Sequence, residues 1–73
     1  MTDDNLLKTG VVKFYSVGGG YGFIVDDETG NDIFVHYNNL KETGLNELNQ
    51  GNKVSFIKKK KGARFYATDI KLL

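Results

Sequence analysis

Two short stretches of the chain place ring side chains at alternate positions. The first stretch is GGGYGFIV, residues 18–25, and the second is DIFVHY, residues 32–37. The rings that alternate in them are Tyr21, Phe23, Phe34 and His36. Flat rings spaced in this way can stack with planar groups of a ligand, above all with nucleobases.

The chain around these rings reads as a small all-β domain. Five short β-rich runs are separated by glycine-marked turns: GVVKFYS, YGFIVD, DIFVHY, NKVSFIK and RFYATDIKLL. Short strands at this spacing in 73 residues are typical of a small barrel. We therefore predict one domain over residues 9–73, preceded by a flexible leader at residues 1–8.

The hydrophobic pattern of the second and third strands predicts how they pair. Burying Ile24, Ile33 and Val35 on one face requires an antiparallel register. That register pairs Tyr21 with His36 and Phe23 with Phe34 on the other face. A chain of this length cannot cover both faces of its sheet, so the rings are expected at the surface. An exposed aromatic patch is abnormal for a monomer unless it binds something.

The expected spacing of the rings favours unpaired bases as the ligand. Rings two residues apart on a strand are separated by about 6.8 Å, whereas bases stacked in a duplex strand are about 3.4 Å apart. The rings therefore suit bases that are already unstacked, as in a single strand. On this interpretation Gly20 and Gly22 keep the space beside the rings clear for the ligand.

Composition argues against most other functions. The net charge is only +1 and there is no cysteine, which disfavours a duplex-coating protein and a thiolate metal site. No apolar run is long enough to cross a membrane and no signal peptide is visible, so we expect a cytoplasmic protein. The glycines lack the Lys-Ser/Thr of a phosphate-binding loop. We predict no enzymatic activity, metal, cofactor or small-molecule substrate.

The motifs resemble those of the cold-shock domain family. GGYGFIV and IFVHY are similar to its two ribonucleoprotein motifs, K-G-F/Y-G-F-I and V-F-V-H-F. GVVKFYS resembles its first strand, K-W-F-N, and GNKVSF its fourth, so the resemblance covers residues 9–73. The RNA-recognition domain has related motifs, but in the opposite order and with intervening helices.

The resemblance implies a five-stranded antiparallel OB-fold barrel that binds single-stranded RNA and DNA as a monomer and acts as an RNA chaperone. It also implies a set of ligand-contacting residues. Those of the stacking platform are Phe14, Tyr21, Phe23, Phe34, His36 and Tyr37. Those around the platform are Lys13 for charge, Tyr15 as a flanking ring and Asp32 for a base edge. Beyond them we expect Lys61 and Arg64 to add charge and Phe65, at a position where the family commonly has proline, to add a ring.

Several positions depart from the family pattern. Phe14 replaces the usual tryptophan, Gly19 a lysine, and Leu45 an aromatic residue of the long loop. Strict alternation with Lys13 would turn Phe14 into the core, whereas the resemblance places it outside, which requires a bulge. An alternative hypothesis is that the aromatic face binds a protein and that nucleic-acid binding is weakened or lost.

Overall fold

The computed structural model describes residues 7–73, which form five strands and one short helix. The elements are β1 (Leu7–Ser16), β2 (Tyr21–Asp26), β3 (Asp32–His36), α1 (Tyr37–Lys41), β4 (Lys53–Lys61) and β5 (Arg64–Leu72). Leu7 and Lys8, assigned from the sequence to a leader, are the first residues of β1 and pair with β4. The rest of that leader lies outside the described residues.

The strands close into a barrel in the order β1-β2-β3-β5-β4. This confirms the predicted all-β, five-stranded OB-type fold. Four of the strand contacts are antiparallel, whereas β3 and β5 run parallel and meet where Phe34 faces Tyr66. Since an odd number of strands cannot alternate in direction around a closed ring, one parallel neighbour is unavoidable.

The register predicted for β2 and β3 is confirmed. Tyr21 pairs with His36, and Phe23 pairs with Phe34. The alternate positions of both strands face inward, and Ile24 and Ile33 are fully buried there. The other members of the core are Val12 of β1, Val35 of β3, Leu40 of α1, Leu48 of the loop after α1, Val54 and Phe56 of β4, and Ala67 and Ile70 of β5.

Gly22 has a structural role that differs from the one inferred from the sequence. It is buried and pairs with Val35 on the inner side of the sheet, so it does not border the ligand face. A Cβ added to Gly22 would lie 2.4 Å from the carbonyl oxygen of Phe14 and 2.7 Å from the ring of Tyr15. The missing side chain therefore lets β1 approach β2. Gly20, by contrast, takes a positive φ of 71° in the turn before β2.

A buried ion pair lies at one end of the barrel. Asp26 is 1% exposed, and its Oδ2 atom is 3.3 Å from Nζ of Lys58. Its Oδ1 atom accepts a hydrogen bond from the backbone N–H of Glu28 at 2.8 Å. Burial by itself raises the pKa of Asp26, but the Glu28 and Lys58 contacts outweigh burial and hold the pKa below its ordinary value of 3.8. The folded state therefore stabilises the ionised carboxylate.

Substituting Gly22 with alanine should destabilise the barrel, because the new methyl group meets backbone that cannot move aside. We expect Gly22→Ala to lower the free energy of unfolding by about 2 kcal/mol or more, measured by urea denaturation. Gly18→Ala is the matched control, since a Cβ there has no neighbour within 4 Å and should change stability by less than about 0.5 kcal/mol. Equal stability of the two variants would contradict this role of Gly22.

Stability should fall in acid partly through Asp26. Because its pKa is lowered on folding, its contribution is complete above the unfolded-state pKa near 3.8 and is lost as the pH falls through the folded-state value. We expect the unfolding free energy of Asp26→Asn to depend less on pH below about 4 than that of the wild type. The control variant Asp27→Asn removes an exposed carboxylate of the same hairpin and leaves the Asp26–Lys58 pair in place. Parallel pH curves for the wild type and Asp26→Asn would refute the assignment.

Candidate nucleic-acid interface

The outer sides of β2 and β3 carry a continuous group of rings. The ring centroids of Phe23 and Phe34 are 5.8 Å apart across the two strands. Tyr21 lies 6.3 Å from Phe34 in a stacked arrangement, and His36 lies 6.3 Å from Phe34 on the same strand. These contacts follow directly from the register, since all four residues occupy outward positions. The rings support one another; Tyr21 and His36 are exposed, and Phe23 and Phe34 are half-buried.

Phe14 joins this group because β1 contains a bulge. The pairing with β2 shifts between Val12, opposite Ile24, and Phe14, opposite Phe23, so that Lys13 is the extra residue. Val12 can therefore be buried while Phe14 remains 39% exposed. The Phe14 ring stacks 6.1 Å from Phe23. We refer to Phe14, Tyr21, Phe23, Phe34 and His36 together as the ring face.

Tyr15 lies on the other side of the sheet from the ring face. After the bulge the alternation resumes, so that Phe14 points outward and Tyr15 points inward, where it is half-buried against the core. Burial raises the pKa of Tyr15, with smaller contributions from Tyr37 and Glu47. The expectation that Tyr15 flanks the platform on the ligand side was therefore wrong. The cause is the bulge, whose position cannot be read from hydrophobic alternation.

Tyr37 borders the ring face without extending its row. It is the first residue of α1, which explains why it can follow His36 and still be exposed. Its backbone N–H donates to the carbonyl oxygen of Gly20 at 2.8 Å, which ties the helix start to the turn before β2. Within residues 7–73, no ring–ring contact joins Tyr37 to the ring face.

Lys13 and Asp32 contact each other beside the ring face. The Nζ atom of Lys13 lies 3.2 Å from Oδ2 of Asp32, and both side chains are about half exposed, at 58% and 47%. A surface pair of this kind contributes about 0–1 kcal/mol, so a ligand can separate it at little cost. Both groups are thus within reach of a strand lying on the rings.

The β4–β5 hairpin contains the basic run KKKKGAR, residues 58–64, whose charged side chains are divided between the inside and the outside of the hairpin. Lys58 pairs with Asp26 and also lies 4.3 Å above the ring centroid of Phe65, so it is committed to the fold. Lys61 and Arg64 pair across the tip of the hairpin and are exposed. Phe65 packs half-buried against the core, although the sequence placed it with the exposed residues beyond the platform. Lys61 and Arg64 are therefore exposed cations at the tip of the hairpin, and Lys60 is exposed next to them, with its Nζ atom 5.9 Å from the ring centroid of Phe65.

Sequence reasoning missed a groove between the ring face and this hairpin. The groove has a volume of ≈ 390 Å³, and its lining includes Phe34 and His36 as well as Asn39 and Tyr66. Tyr66 reaches it because β3 and β5 are parallel neighbours. Asn39 reaches it from α1, where its Nδ2 atom donates to the carbonyl oxygen of Ala67 at 2.9 Å. Neither position belongs to the aromatic motifs, so no local signal marked them.

Two features are absent from the described part of the chain. Within residues 7–73, no three His, Cys, Asp or Glu side chains are grouped so that they could hold a metal ion. No helix among these residues is long and apolar enough to cross a membrane.

Comparison with known proteins agrees with this geometry. Residues 8–73 match the model of the 'Cold-shock' DNA-binding domain. The chain is 45% identical over 49 residues to cold shock protein CspV of Vibrio cholerae, a match that covers 67% of this chain and 70% of that protein. It is 44% identical over 50 residues to the major cold shock protein CspA of Pseudomonas aeruginosa, covering 68% and 71% respectively.

A longer protein also shares the domain. Protein lin-28 of Caenorhabditis briggsae is 47% identical over 47 residues, which is 64% of this chain but only 20% of lin-28. The chain thus spans about a fifth of this relative and more than two thirds of the bacterial cold shock proteins. The match to the family model includes every strand residue that builds the ring face. The chain belongs to the cold-shock domain family of nucleic-acid-binding proteins.

Proposed function

We propose that the protein binds single-stranded RNA and DNA on its ring face and acts as an RNA chaperone without enzymatic activity. The observation that carries this proposal is the contiguity of the rings. Successive ring centroids are 5.6 to 6.3 Å apart across three strands. This spacing exceeds the roughly 3.4 Å between stacked bases. Each ring therefore accepts a base that is no longer stacked on the adjacent bases of its own strand.

Stacking of this kind is tolerant of sequence. Every base has a flat face, and each base stacked on an aromatic side chain contributes about 1–3 kcal/mol. The chain offers Phe14 and Tyr21 from the ends of β1 and β2, and Phe23 and Phe34 at the centre of the face. A single strand laid across them contacts several rings in succession. The stacking energies add up to the affinity, while the preference for particular bases stays modest because each ring accepts any base.

Chaperone activity follows from binding one state of the RNA. A protein that binds the unpaired state stabilises that state by RT ln(1 + [L]/Kd), where L is the protein. Weak hairpins then open by mass action, and no nucleotide hydrolysis is needed. The ring face cannot stack on bases that remain paired inside a duplex, so it discriminates between the two states by geometry.

Removing the two central rings should abolish most of the binding. We expect Phe23→Ala/Phe34→Ala to weaken binding of a labelled pyrimidine-rich single strand by about a hundredfold or more, since two stacking contacts are lost. The measurement is fluorescence anisotropy with RNA, DNA and a duplex control. Leu72→Ala is the matched variant, because Leu72 is an apolar side chain 52% exposed elsewhere on the barrel.

The outcome separates the two hypotheses for the ring face. Tight binding to single strands, weak binding to duplex and loss in the double variant would support the proposal. Failure of the wild-type protein to bind any single strand at moderate salt would refute it. In that case a protein partner for the same face becomes the better explanation, and the double variant should lose that partner instead.

The affinity should depend only weakly on salt. The net charge is +1, and few cations lie near the ring face, so we expect the ligand to place about two to four phosphates against positive charge. For a single strand this predicts a slope of log K against log salt between about −1.4 and −2.8. Anisotropy titrations across a salt series measure the slope. A much steeper slope would mean that charge, and not stacking, dominates binding.

A further inference from the structure

The charges of the protein are unevenly divided along the chain. The strands β4 and β5 together carry seven Lys or Arg side chains and one carboxylate, that of Asp69. The rest of the chain carries three Lys side chains and eight carboxylates. The net charge of +1 therefore combines a strongly basic hairpin with an acidic remainder, and it understates the charge of both.

Ion pairs neutralise much of the acidic part but little of the basic hairpin. The salt bridges within residues 7–73 each use a carboxylate of the β2–β3 hairpin: Lys8–Glu28, Lys13–Asp32 and Lys58–Asp26. The last of these is the one that takes a cation from β4 or β5. Six of the seven cations on these strands thus have no carboxylate in salt-bridge contact within this range, and an approaching anion lowers their mutual repulsion.

The outer side of β4 presents some of these cations to solvent. The inner side of the strand fills the core, and Lys58 turns inward to Asp26. Alternation therefore directs Lys53 and Lys59 outward; Lys53 is exposed and Lys59 is half-buried. Lys71 is exposed on the neighbouring strand β5. We refer to Lys53, Lys59 and Lys71 together as the basic face.

The basic face lies on the opposite side of the barrel from the ring face. In the closed order β1-β2-β3-β5-β4, the strand β4 pairs with neither β2 nor β3, which carry four of the five rings. Outward side chains on opposite sides of a closed barrel point away from each other. The two shorter dimensions of the molecule are 22 and 20 Å, so ligands on the two faces are separated by the width of the barrel.

The chemistry of the basic face suits a phosphate backbone and not the bases. From Lys53 to Lys59 the strand rises by about 20 Å, which equals the rise of about six nucleotides in a helical strand. The outer positions between them are Ser55 and Ile57, so this side offers no ring on which a base can stack. Lysine contacts phosphate as a point charge and carries no information about sequence. A second polyanionic strand is therefore the ligand that this surface fits.

We propose that the basic face binds the phosphate backbone of a second nucleic-acid strand while the ring face holds the bases of the first. The protein then carries two strands at once and promotes the annealing of complementary strands by raising their local concentration. Pairing removes the unstacked bases that the ring face requires, so the annealed product leaves that face. The inference rests on the proposed function for the first strand and adds a second site and a second activity.

An abasic strand separates the two faces, because it keeps the phosphates and has no base to stack. The ¹⁵N-labelled full chain is titrated with an abasic deoxyribose phosphate oligomer and, in parallel, with pyrimidine-rich single-stranded DNA of the same length. The titrations are made at low salt, where the screening length is about 30 Å. We expect the abasic strand to shift the backbone amides of Ile57 and Lys59 and to leave those of Phe23 and Phe34 in place, whereas the DNA shifts both sets.

The outcomes of these titrations distinguish the two sites. Shifts that stay confined to Phe23 and Phe34 with the DNA, and are absent with the abasic strand, would overturn the basic face and leave the proposed function intact. Shifts at Ile57 and Lys59 alone with both ligands would support the basic face and overturn the proposed function.

Annealing kinetics test the second activity. Complementary strands that carry a fluorescence donor and acceptor are mixed with the protein, and pairing is followed by energy transfer. We expect Lys53→Gln/Lys71→Gln to slow protein-dependent annealing by about fivefold and to keep the wild-type affinity for a short single strand at moderate salt. The matched variant Lys41→Gln removes an exposed cation of α1 and should slow annealing by less than about twofold. An unchanged rate in the double variant would refute the role of the basic face.

Asp69 provides a variant of the opposite sign. Its side chain is exposed, and its positive φ of 51° is a conformation that asparagine also adopts. Asp69→Asn therefore removes a negative charge from β5 without straining the backbone. We expect it to speed annealing by about twofold, with thermal unfolding as the check on folding in all variants. Annealing no faster than that of the wild type would contradict electrostatic attraction of a strand to this side of the barrel.

Discussion

A closed ring of five strands cannot alternate in direction throughout, and the candidate site depends on this constraint. The one parallel contact falls between β3 and β5, where Phe34 faces Tyr66. It brings the basic hairpin, which is remote from the aromatic motifs in sequence, beside the strand that carries Phe34 and His36. An open sheet of the same strands would leave the ring face without the groove and without its cations.

A second constraint acts within β1, where one strand must serve two surfaces. The bulge at Lys13 lets Val12 fill the core and Phe14 join the rings with only one residue between them. Gly22 completes the arrangement, because its missing side chain allows Phe14 and Tyr15 to approach β2. The glycine that separates the two rings of the first motif thus acts on the inner side of the sheet and positions the outer side indirectly.

The alternation of apolar and polar residues in the sequence predicted some parts of this structure but not others. The pairing of β2 with β3 followed from alternation, since any other register would expose Ile33 or bury a ring. The direction of Tyr15 and the internal use of Lys58 could not be predicted, because they depend on a bulge and on Asp26, a partner distant in sequence. Asn39 and Tyr66 were missed for the same reason: their meeting place exists only once the barrel has closed.

The closure of the barrel also orders the events of folding. The ring face is built from residues 14–36, whose pairings join neighbouring strands in the chain. The groove requires β5 and therefore a loop of about thirty residues between Phe34 and Tyr66, which carries a larger entropic cost. A chain emerging from the ribosome can pair the strands of the ring face well before it can form the groove. Assembly of the rings and closure of the groove thus belong to different stages of the same folding reaction.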